Sequence, residues 1–509
     1  MIKEEIIYHI FLRSFHDSNG DLHGDLSGVK DQLEYLQDLG VTAVMLTPIY
    51  KSAFYHNYFA DDFEGIDPQY GSRLDYIELV KAVHQRGMKI YMDMEIQYVT
   101  EDHPWFKASY SNPSSPYTEY IVYKDAENLL PETVIFNLSG LHGYNNIYRR
   151  VTTVNLLSKR VQDYMYTLFA YWIDPLGDGS FEYGIDGFRL DHMMDMLDDK
   201  PAFNHLFVNF WKPLITRLKE VNPRVVFFGE QTDWDSTGAD HIQQAGVDKV
   251  FAFRLREAFI SFKKDQVAAA ANAAFNENIE ASRQLVFIEN HDVHRFATIV
   301  HNNPPALRIG AALNLLMGGT PVIYYGQEIG MKGDGGFGKY GNSDGNDIPR
   351  REAMRWYAKV EGKGMALWYK DTGPWWDDTT LRDDDGISVE EQQPEPVSLW
   401  NYYKDLITLR SRYNALVSGK HITLTNTSSE VYSFLRSAEN EYIVILINFS
   451  DKSENVQVEI DLARTSRLGK KIIPLMGNIP ARIHTSGLKV MMPALSVGVW
   501  EIRLDNNKY

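Results

Sequence analysis

The feature that most constrains this chain is a rhythm of short apolar runs, each followed by an amphipathic stretch. "IIYHIFL" (6–12) precedes the helical pattern "VKDQLEYLQDLG" (29–40), and "VTAVMLTPI" (41–49) precedes "LDYIELVKAVHQRG" (74–87). "MKIYMDMEI" (88–96), "IDGFRLD" (185–191), "RVVFFGE" (224–230), "DKVFAF" (248–253), "RQLVFIENHD" (283–292) and "TPVIYYGQE" (320–328) continue the series. Continuous apolar strands alternating with helices imply βαβ units and a parallel sheet buried on both faces. Eight such runs favour a closed (β/α)₈ TIM barrel over an open doubly wound sheet. No GxGxxG follows the first run, so a dinucleotide-binding fold has no support.

Two regions break the rhythm. Residues 100–157 are rich in Tyr, Asn, Ser and Pro, with little periodicity, and are too long for an ordinary βα loop. They read as a small inserted domain after strand 3. From 417 to 509 the pattern changes to short alternating runs such as "EVYSFLRS", "EYIVILINFS" and "NVQVEID", as expected for an antiparallel β-sandwich. The barrel is then assigned to 1–99 and 158–416, with the helix "VSLWNYYKDLITLRSRY" (397–413) closing it.

Composition narrows the partners. The formal charge is −17, which argues against nucleic acid, and no run of 18 apolar residues exists to span a membrane. The start "MIKEEIIYHIFLRSF" lacks a basic region followed by an apolar core, so no leader is read in the chain as given, and the compartment is left open. The chain has no cysteine, which excludes disulfides and thiol chemistry. The expected partner is a neutral ligand, and the expected state a monomer.

Ionisable groups stand where the strands end: Asp93, Arg189 with Asp191, Glu230, and His291 with Asp292. Barrel active sites lie at this C-terminal end. Arg189 and Asp191 are two residues apart in a strand and so share a face, where a cation and an anion in a closed core would carry a heavy desolvation cost. One carboxylate at a strand end is more often a helix cap or an ion pair. Several converging carboxylates need a purpose, and together with Arg and His they suit glycosidic cleavage, where one carboxyl attacks and another protonates the leaving oxygen.

"GIDGFRLD", "VVFFGE" and "FIENHD", in this order and spacing, resemble three segments of the alpha-amylase family of glycoside hydrolases, family 13. The resemblance extends over most of the chain: "LQDLGVTAVMLTPIY" is similar to the second strand of that family, "YHNYFADDFEGIDPQYGS" to the loop that follows, and "GGTPVIYYGQEIGM" with "PRREAMRW" to the eighth strand and next loop. It implies retaining hydrolysis of α-1,4-glucosidic bonds in starch-type α-glucans or malto-oligosaccharides. Asp191 would be the nucleophile, Glu230 the acid/base and Asp292 the third carboxylate. Arg189 would hold Asp191 ionised, His291 would bond the central sugar with Tyr58 stacked on it, and Asp93 would anchor the network, with His56 and Tyr98 also in the sugar site. Exo-glucosidases of the family usually carry Asp directly after this tyrosine, whereas this chain has Phe59, which points to endo action. A transglycosylase or isomerase, or a cyclodextrin- or pullulan-degrading relative, on the same scaffold is the runner-up. A non-catalytic glycan-binding relative is the alternative of another class.

The third strand departs from the family. Gln97 and Tyr98 stand where the family usually offers Asn and His. The His normally contacts the sugar, a role Tyr98 can take by donating a hydrogen bond. The Asn normally ligates a structural calcium, and the longer Gln97 argues against one there. Separately, "DSNGDLHGD" (17–25) sets Asp17, Asn19, Asp21 and Asp25 at alternate positions with the carbonyl of His23 between them, offsets that suit calcium or magnesium. Similar loops in relatives bind such ions. The alternative is a run of Asx turns. No organic cofactor is expected. Trp375 and Trp376, Trp105 and Phe106 are candidate sugar-stacking platforms, with packing the favoured role for each.

Overall fold

The computed structural model describes residues 5–275, 280–336, 338–460, 470–484 and 487–504. The remaining positions of the three assigned units, among them 461–469 in the C-terminal one, lie outside the described residues.

The eight apolar runs form eight parallel strands: β1 (Ile7–Ile10), β2 (Ala43–Leu46), β3 (Lys89–Met94), β4 (Gly187–Leu190), β5 (Val226–Gly229), β6 (Lys249–Phe251), β7 (Gln284–Val286) and β8 (Thr320–Tyr324). Each pairs with its sequence neighbours, and β8 returns to β1, so the sheet closes as a barrel. Closure leaves no edge strand and buries both faces, which is why the runs read as apolar throughout. The inward residues Ile7, Ala43, Met45, Tyr91, Phe228, Phe251, Leu285 and Val322 fill the interior as a core of their own. Gly187 is required by the close approach of β5, because a Cβ there would meet the Val226 carbonyl oxygen at 2.1 Å.

Helices cover the outside. One of them, Arg73–Gln85, opens with a Ser72/Asp75 capping box. Another, Leu399–Arg412, seals the last turn of the barrel: buried Arg410 donates to the carbonyls of Leu315 and Gly319, at 2.7 Å each.

Between β3 and the helix Lys159–Ile173 the chain forms a three-stranded antiparallel sheet (Tyr98–Thr100, Tyr148–Thr153, Gly140–His142) and the short helix Pro104–Ser109. Its loop 135–138 overhangs the C-terminal mouth of the barrel. After the barrel, a five-stranded and a three-stranded antiparallel sheet pack face to face, with Val431, Val444 and Leu446 of one meeting Val456, Val458 and Val490 of the other. No helix among the described residues is long and apolar enough to cross a membrane.

Candidate active site

The parallel register decides what meets at the barrel mouth. Asp93 lies level with Arg189, and Arg189 with Phe228, so the last turns of β3, β4 and β5 deliver Asp93, Arg189, Asp191 and Glu230 side by side. Arg189 is the hub. Its Nη1 lies 2.5 Å from Asp93 Oδ2 and 2.6 Å from Asp191 Oδ1, and its Nη2 lies 2.6 Å from Glu230 Oε1. The guanidinium is 1% exposed, so three carboxyls share one buried cation, two of them partly open to the cleft. Such a cluster is poor for stability and is retained where its chemistry is used.

The β2 loop and the chain after β7 complete the mouth. The Tyr58 hydroxyl donates to Asp93 Oδ2 at 2.7 Å and lies 2.7 Å from His291 Nε2. A hydroxyl has one proton, so His291 carries its own on Nε2, facing Tyr58 and also Asp292 Oδ2 at 3.1 Å. Burial holds His291 neutral by pushing its pKa well below the usual value, with Arg189 adding to the effect. The Tyr58 and His291 rings stack at 5.3 Å, and His56 accepts the Tyr58 backbone N–H on Nδ1 at 3.0 Å. Arg351, from the "PRREAMRW" segment, holds Asp292 Oδ1 at 2.9 Å.

Burial raises the pKa of Asp191, Glu230 and Asp292 above the usual carboxyl range, against the opposing pull of Arg189 on the first two and of Arg351 on the third. Asp93, wholly buried, is pushed up to about 6 by burial while Arg189 pulls it down. Acidic groups with raised pKa beside an anion partner are what acid-assisted glycoside cleavage requires. The groups open into a cleft of about 1010 Å³, large enough for several sugar rings.

The alpha-amylase catalytic-domain family model matches residues 9–419. The chain belongs to that family. It is 28% identical over 459 residues to "Alpha-amylase 3" of Dictyoglomus thermophilum, covering 88% of this chain and 85% of that protein. It is 24% identical over 534 residues to an "Oligo-1,6-glucosidase" of Parageobacillus thermoglucosidasius, covering 89% and 91%. Among solved structures, the alpha-amylase from H. orenii superposes with a TM-score of 0.78 at 26% identity, covering 98% of this chain and 100% of that one. This is an alpha-amylase family glycoside hydrolase.

At the third strand, where the chain departs from the family pattern, Tyr98 and Gln97 both turn to protein partners. Tyr98 lines the cleft, but its hydroxyl is committed: it donates to Asp198 Oδ1 at 2.6 Å, the same oxygen that His192 Nε2 approaches at 3.1 Å. The one proton of that hydroxyl is therefore already given to a protein partner. Gln97 turns its amide nitrogen toward the carbonyls of Asp191 and His192, at 2.9 and 3.0 Å. A donor stands where a cation would need an acceptor, so the residues present do not fit a calcium ion at this place.

The loop 17–25 spends its carboxylates on its own backbone. Asp17 accepts the N–H groups of Asn19, Gly20 and Leu22. Asn19 accepts from Asp21, and Asp21 from His23, whose ring turns back onto Asp21. Asp25 caps the helix Leu26–Asp31 through the Gly28 N–H and holds Ser18. These are Asx turns and a helix cap. Among the described residues no group of three or more His, Asp or Glu side chains is placed to hold a metal ion.

The aromatic candidates are packing residues in the main. Trp105, Phe106 and Trp375 are 4–6% exposed, and Trp375 is wedged against Gly345. Trp376 packs on Tyr369. The cleft is instead lined by Phe136, 74% exposed on the 135–138 loop, and by Trp234, 40% exposed and stacked on Phe253 at 4.9 Å. "TDW", two to four residues past Glu230, was the available signal for Trp234, whereas Phe136 sits in a stretch with no periodic marker. Sequence reasoning gave His192, next to Asp191, no role. Its left-handed backbone (φ 45°) aims its N–H at Glu230 Oε2, at 3.0 Å.

Proposed function

We propose that this enzyme hydrolyses α-1,4-glucosidic bonds within starch-type α-glucans or malto-oligosaccharides with retention of configuration. The observation that carries the reading is the pair Asp191 and Glu230, set on the two arms of one buried guanidinium. In the first step Asp191 attacks the anomeric carbon while Glu230 gives its proton to the departing glycosidic oxygen. In the second, Glu230, now a carboxylate, takes a proton from the attacking water, and Asp191 leaves as the carboxylate. Asp292, held by Arg351, and His291 bind ring hydroxyls, and Tyr58 supplies the stacking face.

Endo action is favoured by Phe59. It packs among Phe54, His56 and Tyr98 and brings no carboxylate to grip a terminal glucose. The apolar faces of Phe136 and Trp234 on the cleft rim offer stacking for sugars beyond the cleaved bond. A time course on maltoheptaose, with product sizes and anomeric protons followed by NMR and Glu230→Gln run beside the wild type, tests this. Shorter α-anomeric products lost in the variant are expected. Longer products reassign the enzyme to glycosyl transfer. Faster cleavage of panose or isomaltose moves the linkage preference to α-1,6.

A further inference from the structure

Arg189 places its two nitrogens equally close to the nucleophile and to the acid, 2.6 Å from each, so the guanidinium alone does not decide which carboxyl is ionised. The His192 N–H on Glu230 tilts the balance the wrong way, because a donor favours the charged form of the group that should carry the proton. What opposes it is the charge of Asp191, which raises the pKa of Glu230 only while Asp191 stays ionised, so the assignment turns on what keeps the nucleophile charged. One further carboxyl in the cleft, Glu95, has no part in the mechanism above.

Glu95 lies two residues past Asp93, just beyond the end of β3. The register that pairs Asp93 with Arg189 and Met94 with Leu190 continues to set Glu95 beside Asp191, and the Asp191 N–H reaches the Met94 carbonyl at 3.1 Å. Glu95 is 1% exposed, and its carboxyl is within hydrogen-bond reach of the Asp191 carboxyl. Its own support comes from Gln97, whose backbone N–H donates to Oε1 and whose amide lies 3.3 Å from Oε2. Among the described residues no Lys, Arg or His pairs with it, since Arg189 is taken up by Asp93, Asp191 and Glu230. Two carboxyl groups in contact in a dry site do not both ionise.

We propose that Glu95 is a positioning residue: a neutral carboxylic acid that donates its proton as a hydrogen bond to Asp191, keeps the nucleophile ionised, and so assigns the catalytic proton to Glu230. The proton stays on Glu95 throughout the reaction. The bond weakens as Asp191 becomes an ester and strengthens again as negative charge returns to it on hydrolysis. The groups facing Glu95 agree with this state. Burial comes first and the Asp191 charge second in pushing its pKa well above the usual range, with Asp198 adding to them and the Gln97 N–H opposing. The remaining ionisable neighbours, Tyr50 and Tyr98, are buried phenols with pKa raised further still, so neither supplies a countercharge. A buried carboxyl kept neutral so that it can donate a hydrogen bond is a known catalytic device.

The inference rests on the assignment of Asp191 as nucleophile, and the test separates the two. A 5-fluoro α-glucosyl fluoride followed by peptide mapping shows which carboxylate is esterified; a label anywhere but Asp191 overturns the mechanism and the inference together. With Asp191 labelled, Glu95→Leu removes the donor, and the acid limb of kcat/KM should move to higher pH, with about a ten- to hundredfold loss, the range of one hydrogen bond to a charged group. Glu95→Gln keeps an N–H donor and should retain the wild-type acid limb. Infrared difference spectra of wild type against Glu95→Gln at neutral pH, which need no turnover and no Leu variant, should show one protonated carboxyl band lost. An unshifted acid limb in Glu95→Leu, a Glu95→Gln as impaired as Glu95→Leu, or no carboxyl band lost, each overturns the role of Glu95.

Discussion

Two acid-rich regions of this molecule show opposite uses of the same side chain. In the loop 17–25, three aspartates are satisfied by backbone N–H groups only a few residues away. At the barrel mouth, Asp93, Asp191 and Glu230 come from three strands, share one guanidinium, and keep oxygens free: Asp93 Oδ1 is buried without a partner. The loop carboxylates do local work, capping and turning the chain. Those at the mouth are held by a distant cation in a site that raises their pKa, and they can therefore exchange protons and attack. Acid content alone does not separate the two; what each oxygen is bonded to does.

The comparison is broken most severely by Glu230→Gln, which should cost about 10²–10⁴-fold in kcat on maltoheptaose while the fold, read by circular dichroism, persists. Arg189→Met should come next. It strands three carboxyls in a buried site, and the expected destabilisation is roughly 3–5 kcal/mol by denaturant titration, with turnover lost as well. The pH profile of kcat/KM sharpens the contrast. Activity should fall as pH rises through the raised pKa of Glu230, because the acid must be protonated. It should fall again as pH drops and Asp191, whose pKa burial also raises, takes up a proton, because the nucleophile must be ionised. In the other region the effects are smaller. Asp25→Ala should remove a helix cap worth about 1 kcal/mol of stability and leave kcat as it was. Addition of a chelator should leave the melting temperature unmoved. A large fall would show that the 17–25 loop rearranges around a cation.

Much of the site was legible because two periodicities carry it. Apolar runs alternating with helices specify a barrel, and a barrel places strand-end residues at one mouth, so Asp93, Arg189, Asp191, Glu230, His291 and Asp292 could be named from their positions alone. The two-residue spacing that singled out Arg189 and Asp191 was equally present in Asp93 and Glu95, and applying it to the third strand would have exposed the extra carboxyl.

What the sequence by itself determined was therefore the barrel and the residues its strands present, since strand periodicity and closure depend on local pattern and on burial of both faces. Tertiary structure alone decided what lies across the mouth from other segments. Tyr98 is spent on Asp198, a hundred residues on. Arg351 reaches back to Asp292, and Phe136 and Trp234, rather than the Trp375 pair, line the cleft. Such contacts join residues far apart in the chain. They depend on how loops without periodicity settle over the barrel, which no local pattern records.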